Sequence, residues 1–452
     1  MTLKKGQVIE LTIDKLVYGG EGLGYFDGFA IFVPMSVPGD ILKVEIISLK
    51  KTYGRALIKE LVTAGEERVK DSTKVTFEDF QGCDFAMLNY ESQLKYKREM
   101  VEDVLKKIGK NSTIEVPMTI GAEDPTHYRN KIIEPFALQN NTIVTGFFKR
   151  KSHEVFEVEE NILNSKLGNK IIEKLKIYLN KEKVSVYDEI QHKGILRHVM
   201  VRTNSYGEAM LVLIINAPKL DVKLKQILLD LKDEMKEIVS IYISFNTKRT
   251  NVALGEKNIL VWGQKTIKET VFGIDFNISP KSFFQINLDQ TKKLYKIGMD
   301  FFENISDKII VDSYSGTGTI AMLLSKSAKK VYAIEIIESA TRDGIKTAEE
   351  NGISNVEFIN GDVNIELEKL VSNNKIDSII FDPPRKGIDE SSLLSIAKTN
   401  IDEIVYISCN PSTFARDTEI LSNNGYELVK VQPVDMFPGT SHIEVVGKFK
   451  KI

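Results

Sequence analysis

Of its 452 residues the chain spends only two on cysteine, five on histidine and one on tryptophan. Two thiols close one disulfide at most, so an extracellular scaffold held by bridges is excluded and a reducing cytoplasm is the expected setting. No apolar run reaches the roughly 18 residues that a membrane-crossing helix needs. The first residues, Met-Thr-Leu-Lys-Lys-Gly-Gln, turn polar at once and carry no signal-peptide core. An excess of charge is missing too: 61 basic against 63 acidic residues leave a formal net charge of −2. Any contact with nucleic acid must therefore come from local basic patches, because the overall balance offers no long-range attraction. What is present is ordinary globular composition, 42% hydrophobic and 27% charged, on a chain long enough for about three domains.

Residues 1–62 read as a small all-β module. Residues 7–15 alternate with period two, 30–33 and 41–47 are apolar strand patterns, and Val37-Pro-Gly-Asp40 marks a turn. Tyr18-Gly-Gly-Glu-Gly-Leu-Gly24 supplies residues free to take positive φ, as a bulge or wide turn demands. Such a module is expected to be a small barrel of the oligonucleotide-binding kind. Residues 63–270 form an α+β segment. It opens with an amphipathic helix over 90–108, striped by Leu94, Met100, Val101, Val104 and Leu105, and continues with strands near 141–148, 199–203 and 209–215 and a helix over 219–235. Two basic clusters interleaved with aromatics, His127-Tyr-Arg-Asn-Lys131 and Phe147-Phe-Lys-Arg-Lys151, are either solvated surface or places for base stacking and phosphate contact. From 271 to 452 strands alternate with helical patterns, at 309–312, 331–335, 356–360, 378–382, 403–408, 426–432 and 444–448, which predicts a doubly wound α/β sheet.

In that architecture ligands bind beyond the carboxyl ends of the strands. Asp312, Glu335, Asp382 and Cys409 all fall at such ends. Cys409 follows the apolar run 404–407 in Ser-Cys-Asn-Pro-Ser-Thr-Phe-Ala-Arg-Asp (408–417), which makes it a candidate nucleophile. A lone buried cysteine is otherwise a packing residue. Ser315-Gly-Thr-Gly318 is a glycine turn between strand and helix, with Gly316 and Gly318 as its flexible points. It lacks both the third glycine of a dinucleotide fingerprint and the Gly-Lys-Ser/Thr of a P-loop. Glu335, some twenty residues on, sits where an acidic residue accepts both ribose hydroxyls. A nucleoside without pyrophosphate fits best, which points to S-adenosylmethionine rather than NAD. Asp362 in Asn-Gly-Asp is a candidate for the adenine end or a simple turn residue.

A thiol opposite a methyl donor opens a specific route. Carbon 5 of uracil is a poor nucleophile until thiolate addition at carbon 6 converts the ring to an enolate. After methylation a base must remove the carbon-5 proton so that the thiolate can leave. Glu444 in Thr-Ser-His-Ile-Glu (440–444) is the candidate base, with His442 as competitor.

Taken together, Gly-Thr-Gly at 316–318, Phe-Asp-Pro-Pro-Arg-Lys-Gly at 381–387, the 408–417 motif, Ser-His-Ile-Glu at 441–444 and Phe-Phe-Gln-Ile-Asn at 283–287 resemble the RNA uracil-C5 methyltransferase family. The first 60 residues resemble its TRAM domain, which leans towards the branch acting on 23S ribosomal RNA, with transfer RNA as the alternative substrate. The resemblance implies a Rossmann-like catalytic domain, S-adenosylmethionine as methyl donor, Cys409 as nucleophile and Glu444 as base. It implies that Gln285, Tyr314, Glu335 and Asp382 line the donor and uracil sites, with Phe283, Arg129 and Lys131 on the RNA side. It also implies that a helix near 90–118 packs on the catalytic domain despite its early position. A monomer is expected.

One departure is plain. Many members hold an iron–sulfur cluster on four cysteines, three of them near the segment resembling Phe80-Gln-Gly-Cys83, and four thiolates cannot be assembled from the one present there. A cluster-free member, with no metal, is expected. Two other readings compete. Asp382-Pro-Pro also occurs in amino-group methyltransferases, but those follow the prolines with a stacking aromatic where Arg385 stands. An RNA-binding scaffold without catalysis has no use for Cys409, Glu444 and the glycine turn together.

Overall fold

The computed structural model describes residues 3–69, 82–149, 152, 154–158, 160–399 and 401–452. Phe80 and Gln81 of the cysteine-bearing segment, and Arg150 and Lys151 of the second basic cluster, lie outside the described residues. The chain forms two compact units, Met1–Glu123 with Asp289–Ile452, and Asp124–Leu288.

In the first unit, six strands make the N-terminal sheet in the order Val8–Thr12, Ile41–Leu49, Tyr53–Thr63, Phe29–Val33, Gly22–Phe26, Lys15–Leu16. Period-two alternation aims Ile9, Leu11, Ile31, Val33, Leu42, Val44 and Ile46 into one core. The glycine-rich stretch differs from the expected turn: Gly22–Phe26 is a strand paired to Phe29–Val33. A side chain on Gly24 would collide with the carbonyl of Thr12, so this glycine serves a close backbone approach within the barrel.

Helix α1 (Tyr90–Lys107) starts where the Asn89 side chain accepts from the Ser92 amide at 2.8 Å. It stops well short of 118, because Gly109 and Lys110, the latter at φ +50°, turn the chain out of the helix. Val101, Val104 and Leu105 of α1 and Val116 beyond it enter the same core as the catalytic strands. Lys97 of α1 and Asp435 meet at 2.6 Å with both side chains fully buried, tying the helix to the chain just before 440–444.

The catalytic sheet has seven strands: β1 (Ile309–Ser313), β2 (Lys330–Glu335), β3 (Val356–Asn360), β4 (Ser378–Phe381), β5 (Glu403–Ser408), β6 (Tyr426–Val434) and β7 (Glu444–Lys451). Their order is β3-β2-β1-β4-β5-β7-β6. The first five run parallel, whereas β7 is antiparallel to both β5 and β6. Strand order reverses between β1 and β4, which is where a doubly wound sheet opens a crevice for a ligand.

The second unit carries another seven-stranded sheet, in the order Lys257–Gly263, Ile238–Phe245, Ala209–Ile215, Leu196–Thr203, Lys131–Gln139, Thr142–Phe148, Val155–Glu157. Helices Lys166–Lys181 and Val222–Glu234 contribute to the core on one face. On the other, Met200, Met210, Val212 and Ile214 bury against Ile267 and Ile278 of the hairpin Ile267–Val271/Ile274–Ile278. That packing is why residue 271 does not open the catalytic domain: the hairpin, a two-stranded sheet of its own, packs on the central sheet, and the unit runs on to Leu288.

Candidate active site

Parallel register sets Ser313 beside Phe381 and Phe381 beside Tyr406, so β1, β4 and β5 end on one edge. Asp382 leaves β4 there and Cys409 leaves β5. Because β7 runs the other way, its first residue arrives at the same edge: Ser408 pairs with Val445, which brings Cys409 level with Glu444. Glu444 is 8% exposed, Cys409 and Asp382 are half-buried, and Arg385 is exposed on the loop that follows β4.

The second half of the 408–417 motif is a brace, which sequence reasoning missed. Asn410 caps helix Pro411–Ser422 and its amide donates to the Arg385 carbonyl at 3.0 Å. Arg416 donates to the carbonyls of Lys386 and Ile388 at 3.2 and 3.0 Å. Buried Asp417 accepts from the Tyr406 hydroxyl at 2.6 Å and the Ile388 amide at 3.0 Å. The Pro-Pro-Arg-Lys-Gly loop is thereby fixed against the strand that delivers Cys409. The available signal was spacing, since Arg416 and Asp417 stand two turns into a helix whose first turn is already committed to the loop.

Burial dominates the electrostatics of this edge. It pushes the Cys409 thiol up to about 11, helped by Glu444 and Asp382 and opposed by the Arg385 guanidinium. It raises Asp382 to about 7 and holds Glu444 well above the ordinary carboxylate range, with Asp382 adding and Arg385 subtracting. His442 is exposed with its ring edge-on to Phe437 at 6.0 Å, outside this group.

At the end of β1 the backbone takes unusual conformations. Tyr314 sits at φ +63°, which is rare for a side chain of that size, and Gly316 and Gly318 are at +56° and +75°. The two glycines differ in kind. A side chain on Gly318 would strike the Phe358 ring, whereas nothing lies within 4 Å of the corresponding point on Gly316. Gly318 serves packing and Gly316 leaves open space for a ligand. Glu335 accepts from the Gly316 amide at 2.9 Å and the Ile337 amide at 2.8 Å, one oxygen each, which leaves further lone pairs for hydroxyl donors. Asp362 caps helix Val363–Asn373 with one oxygen, accepting from Asn364 at 2.9 Å. Among the described residues, Asp312 Oδ1, Ser313 Oγ and Ser315 Oγ are buried without partners. This set fits a cationic nucleoside such as S-adenosylmethionine.

Gln285, Phe283, Arg129 and Lys131 belong to the second unit. The Gln285 carbonyl accepts from Asn130 at 2.9 Å, and Phe283 is 77% exposed. Lys131 lies directly across from Arg202 in the sheet. Burial lowers both cations, Arg202 to about 10, and Arg202 further lowers Lys131. Free thiols are Cys83 and Cys409. Among the described residues no cluster of three or more His, Cys, Asp or Glu side chains has the arrangement of a metal site, and no helix is long and apolar enough to cross a membrane.

A doubly wound sheet with this rim defines a methyltransferase that uses S-adenosylmethionine. The tRNA (uracil-5-)-methyltransferase family profile matches residues 89–451 and the TRAM domain profile matches 2–59, so the chain belongs to the RNA uracil-5 methyltransferase family and carries a TRAM domain. It is 63% identical over 450 residues to an uncharacterised RNA methyltransferase of Fusobacterium nucleatum, covering 99% of this chain and 97% of that one. A second, from Halalkalibacterium halodurans, is 38% identical over 447 residues, covering 98% and 97%. Among solved structures, the tRNA (uracil-54, C5)-methyltransferase of Pyrococcus abyssi with bound S-adenosyl-L-homocysteine superposes with a TM-score of 0.77 at 29% identity, over 98% of this chain and all of that one.

Proposed function

We propose that the protein methylates carbon 5 of uracil in RNA through a covalent bond between Cys409 and carbon 6. The observation that carries this reading is the antiparallel entry of β7, which sets a buried carboxyl, Glu444, at the level of the only thiol on the rim. Cys409 adds its sulfur to carbon 6, and the ring electrons move to carbon 5 and oxygen 4. At rest the thiol is protonated. Asp382, near 7, is the neighbour that exchanges a proton around neutrality and takes the thiol proton as sulfur attacks. S-adenosylmethionine, when bound, supplies an electrophilic methyl group. Glu444 then takes the proton from methylated carbon 5, the double bond re-forms, and Cys409 leaves as thiolate. Its low-dielectric setting makes the Glu444 carboxylate a stronger base than a solvated one. Tyr314, Gly316, Glu335 and Asp362 hold the donor, and the family resemblance gives Gln285 and Phe283 roles towards donor and base. Neither Arg385 nor its neighbours offers the stacking ring that an amino-group methyltransferase uses.

RNA affinity resides in local groups. Lys131 and Arg202 form a cation pair with no carboxylate among the charges acting on either, which suits a phosphate. Arg129 in the same unit, and separately Lys50, Lys51 and Arg55 of the barrel, are further groups for phosphate contact. We take 23S ribosomal RNA as the first substrate, on the resemblance of the barrel, with the protein a cytoplasmic monomer. Transfer RNA is the second reading, because the Pyrococcus abyssi fold match runs across the whole chain including the barrel. Two experiments test these readings. Glu444→Gln is expected to accumulate a methylated protein–RNA adduct with ordinary uridine; slow turnover without adduct assigns the base elsewhere. Mapping 5-methyluridine in ribosomal and transfer RNA from a strain lacking the gene assigns the substrate to whichever RNA loses it.

A further inference from the structure

Residues 279–287, which follow the hairpin Ile267–Val271/Ile274–Ile278, form no regular structure, yet groups at the ends of two central strands fix their backbone. Ser279 and Ser282 close a turn on each other, the Ser282 amide donating to the Ser279 carbonyl at 3.3 Å and the Ser279 amide to the Ser282 hydroxyl at 3.1 Å. The Arg202 guanidinium donates to the Ser282 carbonyl. Three residues on, the Asn130 side-chain amide donates to the Gln285 carbonyl and its backbone amide to the Ile286 carbonyl, both at 2.9 Å. The Asn130 carbonyl accepts from the Thr203 amide at 2.8 Å, so the two holders are tied to each other next to Arg202. Phe284 packs on the cluster that contains Met200 and Met210, its ring 5.8 Å from that of Phe276. All of these groups belong to the second unit.

Phe283 stands between the two holders. Ser282, Phe284 and Gln285 around it are each partly buried, but Phe283 is 77% exposed. Burying a phenyl ring is among the larger gains a single side chain brings to folding, so a loop free to relax would turn it in. With the carbonyls of Ser282 and Gln285 both committed, the ring stays out. The Arg202 holder is itself unfavourable for folding: it is 2% exposed, lies across the sheet from Lys131, and its Nε is buried without a partner. What this buried charge secures is the position of residue 282, on the threshold of the exposed ring.

Resting on the RNA reading above, we propose that Asn130 and Arg202 are positioning residues for Phe283: they hold residues 282–286 from both sides so that the ring stands ready to stack on an unpaired base of the RNA. The ordering of this ledge is then completed in folding and does not weaken binding. Stacking of one base on an aromatic side chain contributes roughly tenfold to a hundredfold in affinity, which is the effect a loosened ledge forfeits.

Trp262 is the only tryptophan of the chain, so Phe283→Trp in a Trp262→Phe background places one fluorescent reporter on the ledge. Without RNA, its anisotropy reads how firmly residue 283 is held. Asn130→Ala, which keeps the backbone bonds of that residue, and Arg202→Met are each expected to lower it; either variant, if folded, decides, and an unchanged anisotropy overturns the proposal. A double-mutant cycle in the otherwise natural chain then reads the purpose of the ledge. Asn130→Ala and Phe283→Ala are each expected to weaken binding of a short single-stranded RNA containing uridine about tenfold, and the double variant to bind no more weakly than Phe283→Ala, because Asn130 acts through the ring. A loss of about a hundredfold in the double variant, the sum of two independent effects, overturns the proposal. Lowered anisotropy and a non-additive cycle in a protein that methylates no uridine leave the ledge standing and remove the uracil reading instead.

Discussion

The two ends of the catalytic sheet are built on opposite principles. Towards its amino end Glu403 accepts from Lys308 at 2.7 Å, Lys448 at 2.7 Å and Ser378 at 3.1 Å, and Lys448, fully buried, also pairs with Glu303 at 2.8 Å. Every charge there has its complement. At the carboxyl end Asp382 and Glu444 have raised pKa values, Cys409 is a protonated thiol, and Asp312 keeps an oxygen without a partner. The same strands thus carry a satisfied network at one end and an unsatisfied one at the other. Buried polar groups left without partners are unfavourable for folding, and their concentration on one edge marks where ligand charge is received.

Substitutions should separate the two ends. Cys409→Ala is expected to bring turnover down to background while thermal unfolding and methyl-donor binding stay close to the parent. Lys448→Met should do the reverse, lowering stability by about 3 kcal/mol, since it strips a buried carboxylate of one of its two cations, while leaving turnover per folded molecule intact. Adding Glu403→Gln should recover much of that loss; a Lys448→Met protein as stable as the parent contradicts the account of that end.

Asp382 sharpens the contrast through pH. Its folded pKa, about 7, lies above the ordinary 3.8, so the folded state holds a proton that the unfolded chain has already released. Its contribution to stability is therefore full below about pH 4 and is lost as pH rises through 7. Asp382→Asn is expected to stabilise the protein above pH 7 by about 1–2 kcal/mol in denaturant titrations, with little effect near pH 4. The same ionisation bears on the ligand. Below pH 7 the edge loses a negative charge, so calorimetry from pH 8 to 6 should show S-adenosylmethionine, a sulfonium cation, losing up to about tenfold in affinity relative to uncharged-sulfur S-adenosylhomocysteine. The smallest effect belongs to the central unit: Lys131→Ala should flatten the slope of log K against log salt for single-stranded RNA by about 0.7, the share of one phosphate.

Much of this was legible in the sequence, because the catalytic region is built from local signals. Strands β1 to β7 follow apolar runs, and the family resemblance joins Cys409, Asp382 and Glu444 before any geometry is known. The antiparallel entry of β7 was not legible; it follows from its pairing with β5 and β6, a long-range choice, and it is what brings Glu444 level with Cys409. The helix read at 90–108 from its apolar stripe is there as Tyr90–Lys107, whereas the longer 90–118 helix of the resemblance is cut short for a local reason, Gly109 and a left-handed Lys110. The boundary expected between 270 and 271 falls inside the hairpin at 267–278, because alternation reveals a buried face without revealing which sheet covers it. In Tyr18-Gly-Gly the glycines read as barrel punctuation, yet Gly20 is flat against Ser441 of the catalytic region, a contact no periodicity encodes.

The covalent bond between Cys409 and uracil is the centre of the account, and RNA carrying 5-fluorouridine reads it directly, because fluorine at carbon 5 cannot be removed as a proton. Incubated with S-adenosylmethionine and then denatured, the wild-type protein is expected to remain joined to the RNA, one methyl group heavier than protein plus RNA alone. The Cys409→Ala protein is expected to show no such species. A wild-type protein that methylates ordinary uridine yet separates cleanly from the fluorinated RNA contradicts the covalent mechanism.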